Sequence, residues 1–141
     1  MLRFLALALP LAVLLLAAAS FAVKAAGLEP DIEPLVLLGV ARPAGPAPAL
    51  AIAALVFQAL ALVAAVALLA GRSSHLWLDG LAAGLVAWLF RGPLLVLTIE
   101  AWTRLPERTF RQIARNDLLT YPLVAVAIAL AVRREPATPE R

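Results

Sequence analysis

"ALAIAALVFQALALVAAVALLAGRSSHLWLDGLAAGLVAWLFR" (residues 49–91) decides the fold. Residues 49–70 carry no charge and one strongly polar side chain, Gln58. A helix of about 20 apolar residues, rising about 1.5 Å each, crosses the roughly 30 Å hydrocarbon layer of a bilayer. The run is therefore a membrane-spanning helix. "GRSSH" (71–75) punctuates it. Gly71 suits the end of one helix, and Ser73 or Ser74 suits the N-cap of the next. A second apolar run begins at once, so the two helices form an antiparallel hairpin.

Outward from this hairpin, residues 4–23 form another uncharged run of spanning length. Two readings compete for it. Arg3 and the small-x-small triplet at 20–22 fit a cleaved signal. The long apolar run and Lys24, placed to snorkel, fit an uncleaved anchor. Residues 76–102 make a third span, interrupted by Asp79, Arg91 and Glu100. Residues 118–132 are apolar but would reach only about 22 Å, so the last span must start near residue 113. Arg115, Asn116 and Asp117 would then stay at headgroup depth, and Pro122 would kink the helix one turn inside. The fold class is an all-α membrane protein: four transmembrane helices (about 4–23, 49–70, 76–102 and 113–132) in a small antiparallel bundle. A short interfacial amphipathic segment precedes the last helix. Residues 1–141 make a single membrane domain with a Pro-rich acidic loop (24–48) and a polar tail (133–141). The prolines of the loop exclude a regular helix there, and "LVLLGV" (35–40) is too short to span.

Composition agrees. Apolar residues make up 64% of the 141-residue chain and the mean hydropathy is +0.96, whereas soluble domains hold about 45–50% apolar residues. There is no cysteine and a single histidine, His75. Thiol chemistry, thiolate metal sites and disulfides are excluded, and the single histidine argues against haem or zinc ligation within one chain. No phosphate-binding glycine loop or paired carboxylates on one helix face occur, so no catalytic residue, metal or cofactor is assigned. The net charge of +3 lies between apolar runs, which points to lipid phosphates and away from nucleic acid.

The third span holds the most unusual charge. Trp77 and Trp102 are 25 residues apart, about 37 Å along a helix, close to the spacing of two aromatic belts. That places Arg91 near the bilayer centre, where an arginine costs about 3 kcal/mol on insertion scales. Gly80, Gly84, Ala87 and Arg91 share one face, and the GxxxG pair lets another helix approach closely. Arg91 should thus point into a helix contact. Counted from the 71–75 turn, Gln58 reaches comparable depth, so its side-chain oxygen is expected to accept a hydrogen bond from Arg91, or both line one polar pocket. Pro93 frees the Leu89 carbonyl as a second acceptor. Thr98 falls on the same face. Arg91 reads either as a structural tie or as a group lining a path for an anion or a lipid phosphate. Glu100 is placed to pair with Arg104, and Asp79 suits the start of its helix.

Arg108, Arg111 and Arg115 form a second basic feature at helical spacing, with Pro106 in the first turn and Glu107 placed to pair with Arg111. This stripe suits lipid headgroups or an acidic partner. The expected location is a cell membrane, the bacterial inner membrane, with the N-terminus inside; arginine counts on the two sides are nearly balanced. The function that follows is a non-catalytic subunit or assembly factor of a membrane complex, with membrane lipids and other subunits or further copies as partners. The alternative is a small homo-oligomeric transporter or flippase with an arginine-lined path.

Overall fold

A computed structural model describes residues 2–39, 47–102 and 107–132. The described residues are helical, without strands: α1 (Leu2–Ala25), α2 (Glu33–Leu37), α3 (Pro48–Leu69), α4 (Leu76–Arg91), α5 (Pro93–Trp102) and α6 (Glu107–Ala131). Four stretches are long and apolar enough to cross a membrane: Phe4–Ala25, Pro48–Leu69, Leu76–Thr98 and Arg108–Ala131.

Local chemistry sets the ends. Ala and Leu, the strongest helix formers, dominate α1. It stops where Gly27 adopts φ +67°. There Leu28 N–H reaches back to the Val23 carbonyl at 3.0 Å, closing the left-handed cap that glycine favours. Pro48 opens α3, where its missing N–H costs nothing.

Several sequence expectations change. The Pro-rich loop contains a helical turn after all, because Pro34 occupies the first turn of α2, the position a proline tolerates. Neither Ser73 nor Ser74 caps α4. His75 is the N-cap and makes no side-chain cap bond. The turn is tied from the other direction: the Asp79 carboxylate accepts Gly71 N–H at 2.7 Å and Ser73 N–H at 2.9 Å. The third span is not one helix. Gly92, with φ −93° and ψ −90°, separates α4 from α5, since Pro93 lacks an N–H and disfavours helical geometry in the residue before it. The interfacial segment expected ahead of the last helix is the first half of α6 itself, which runs unbroken through Pro122.

The core comes from one stripe per long helix. Ala8, Ala12 and Leu16 of α1 meet Ala59, Leu62, Val63 and Val66 of α3, and Ala83 of α4. Tyr121, Val124, Ala125, Ile128 and Ala129 of α6 complete the cluster. The closest approach is α4 against α6. A Cβ placed on Gly80 would lie 2.8 Å from Val126 Cα, and one on Gly84 would fall on Pro122 Cα and 2.8 Å from the Tyr121 carbonyl. These glycines therefore set the spacing of the two helices, through backbone contacts that no side chain could relieve.

Candidate functional site

The close packing of α4 on α6 places a cluster of four polar side chains. Arg91 is the last residue of α4. Its Nε lies 3.1 Å from Asp117 Oδ2 of α6. Both atoms are sealed from solvent, and their alignment falls short of a hydrogen bond. The contact is therefore a charge pair at close range. With the Gln58 amide turned to satisfy both its neighbours, its oxygen accepts from Arg91 Nη1 at 3.3 Å and Nη2 at 3.1 Å. Its nitrogen then donates to the Tyr121 hydroxyl at 3.2 Å. The guanidinium also stands 6.0 Å from the Tyr121 ring centroid, within cation–π reach.

Neighbouring bonds fix this geometry. Trp88, one turn before Arg91, donates its indole N–H to the Ala114 carbonyl at 2.7 Å. A Cβ on Gly92 would lie 3.1 Å from Trp88 Nε1 and 3.2 Å from Ala114 Cβ. Glycine there lets the chain turn away directly after Arg91. Arg91 does not depend on the Leu89 carbonyl, since Asp117 and Gln58 engage it. Thr98 leaves the Arg91 face because α5 is a separate helix; it is exposed and donates to the Leu94 carbonyl at 2.7 Å. The Glu100–Arg104 pair, Pro106 and the Glu107 side chain lie outside the described residues.

The cluster borders a cavity of about 230 Å³. Ser20, Glu29, Asn116 and Thr120 contribute the rest of its polar lining. Arg91 thus shares a space with the connection after α1 and sits toward that end of the molecule. Residues 28–31 form the roof. Asn116 donates to the Leu28 carbonyl at 2.7 Å and Gln112 to the Glu29 carbonyl at 3.2 Å. Thr109 donates to the Asp31 carbonyl at 2.6 Å, and Asp31 N–H donates to Gln112 Oε1 at 3.4 Å. Thr109, Gln112 and Asn116 follow helical spacing, so α6 carries a polar face devoted to this loop. Lys24 and Glu29 make an exposed ion pair at 3.7 Å beside it.

Arg108, Arg111 and Arg115 are exposed on the adjoining face of α6 and, with Gln112, line a shallow concavity of about 430 Å³. Gly80 and Gly84 lie elsewhere, at the α4–α6 contact, without lining the polar cavity. Among the described residues, no three or more His, Asp or Glu side chains gather as a metal would require. No family model, curated protein or solved structure matches the chain.

Sequence reasoning missed Asp117, Tyr121 and the loop-holding face. The sequence places Asp117 in a polar collar with Arg115 and Asn116, whereas the structure pairs it with Arg91. The signal was present in the spacing: Asp117, Tyr121, Val124 and Ile128 follow steps of four, three and four. An acid on the same stripe as the core residues of its helix needs a basic partner on a neighbour.

Proposed function

We propose that the four apolar stretches, the third made of α4 and α5, cross a membrane as an antiparallel bundle, and that the chain is a non-catalytic subunit or assembly factor of a membrane complex. It docks through the arginine-bearing first half of α6. The observation that carries this reading is a division of labour on that helix. Asp117 and Tyr121 serve the interior cluster, and Thr109, Gln112 and Asn116 hold the chain's own loop. Arg108 and Arg115 remain outward on the exposed face. A clustered basic surface selects acidic segments or phosphates and weakens with salt. Pairing of Arg91 with Asp117 supports a tie more than an open anion path, because the pair offers a passing anion no net charge.

The test is gentle detergent extraction followed by identification of what co-purifies. A stoichiometric partner should accompany the chain and be lost when Arg108→Glu and Arg115→Glu are combined, while the variant stays in the membrane fraction. A homo-oligomer unaffected by that double reversal would refute docking and favour transport.

A further inference from the structure

Gln58, Arg91 and Tyr121 border two concavities at once. On one side lies the polar cavity beneath residues 28–31. On the other, a groove of about 460 Å³ opens on the outer face between α3 and α4, walled by Phe57, Ala61, Val86, Phe90 and Leu95. The three polar side chains form the threshold between them. One face of the threshold is hydrophilic and roofed, and the other is apolar and open sideways.

We infer that this threshold seats a single phospholipid with a phosphate–primary-amine head, the head in the polar cavity and an acyl chain in the groove. The charge pattern selects the head. The cavity lining holds one guanidinium and two carboxylates, from Arg91, Asp117 and Glu29, with Lys24 against Glu29 beside it. A purely anionic head would meet Arg91 beside the Asp117 carboxylate, and a purely cationic head would meet the guanidinium. A zwitterion answers both, its phosphate on the guanidinium and its ammonium on the carboxylates. The interior pair keeps capacity for this. The Arg91 side chain is 37% exposed and that of Asp117 is 17% exposed, and among the described residues no hydrogen bond reaches Asp117 Oδ1. A primary amine has N–H groups to give the carboxylates, which a quaternary amine lacks. The groove selects a chain: Phe57 and Phe90 form walls, while Ala61 and Ala65 leave the floor low.

This inference rests on the membrane-spanning reading but not on the arginine stripe. The full chain, purified in mild detergent, is offered equal amounts of phosphatidylethanolamine, phosphatidylcholine and phosphatidylglycerol, and retained lipid is read by native mass spectrometry. Phosphatidylethanolamine should be retained at one per chain, about tenfold over the other two. Arg91→Gln should reduce that retention about tenfold. Ala61→Phe, at an exposed groove position outside the polar hydrogen bonds of the cluster, should do the same by filling the groove, and it keeps the test open if the Arg91 variant does not fold. Equal retention of the three lipids, or an Ala61→Phe variant that binds normally, would overturn the proposal. So would displacement by free phosphoethanolamine at a concentration no higher than that of the lipid, which would show that the chain in the groove contributes nothing. Alkaline carbonate separates the two levels: a protein released from membranes contradicts the spanning reading, whereas one that stays but retains no lipid contradicts only this site.

Discussion

Asp117 and Arg91 illustrate how one residue's meaning depends on another element. Removing one member of a buried pair leaves an uncompensated charge, at a cost of about 3–5 kcal/mol when burial is complete. Here more than a third of the Arg91 side chain remains exposed, so a lower cost of about 1–3 kcal/mol follows. Asp117→Asn and Arg91→Gln should each lower stability by that amount. The double variant should lose less than the sum, because the two residues share one interaction. Thermal unfolding of the four proteins in mild detergent checks this; strict additivity would show the pair to be inert. How legible was the cluster? Arg91 stood out because a lone arginine in an apolar run demands an explanation, and Gln58 because it is the one amide in its helix. Asp117 did not, because it sits beside Arg115 and Asn116 and reads as part of a polar collar. Whether it faces inward is settled by helix phase, and the phase could be fixed only by recognising Tyr121 as a core residue.

The break at Gly92 shows the limit of length as evidence at the scale of elements. Residues 76–102 are long enough for one helix, but Gly92 followed by Pro93 gives two consecutive reasons to stop. The α3–α4 turn falls at the punctuation the sequence predicts, but the group that holds it lies inside the helix: the Asp79 carboxylate reaches back to the Gly71 and Ser73 N–H groups, whereas a capping serine would have accepted N–H groups of the first turn of α4. The face joining α4 to α6 yields a sharp prediction. Gly84→Ala puts a methyl group against the backbone of Tyr121 and Pro122, which cannot yield as a flexible side chain would. It should cost at least about 2 kcal/mol, whereas Ala82→Leu on the exposed face should be nearly neutral. Unfolding midpoints in the same detergent decide between them, and a tolerated Gly84→Ala would mean that the helices stand further apart. The loop roof gives a second prediction. Thr109→Ala and Asn116→Ala each remove one bond to the roof, worth about 1 kcal/mol. Amide exchange should quicken at residues 28, 29 and 31 in the double variant and stay unchanged in α3 and α4. Unaltered protection of the loop would contradict its tethering by α6.

At the scale of the whole molecule, the polar features converge on one end. The α4–α6 contacts run antiparallel: Gly80 meets residues 125–129, Gly84 meets residues 121 and 122, and Arg91 meets Asp117. The first connection lies over the first half of α6 through its hydrogen bonds to residues 109–116. Glu29, the cavity and the arginine stripe therefore belong to one side of the proposed bundle, and the 71–75 turn to the other. This arrangement makes a topological claim that arginine counting could not, because the charges nearly balance between the sides. The chain lacks cysteine, so single cysteines report position without background. With the N-terminus inside, Glu29→Cys and Arg108→Cys should react with a membrane-impermeant maleimide in intact cells, and Ser74→Cys only after the membrane is opened or inverted. The opposite pattern would keep the fold and reverse the orientation, moving the docking surface to the inner side. Labelling of residues 29 and 74 from the same side would be incompatible with α3 crossing the membrane, and would dismantle the bundle together with the functions assigned to its two ends.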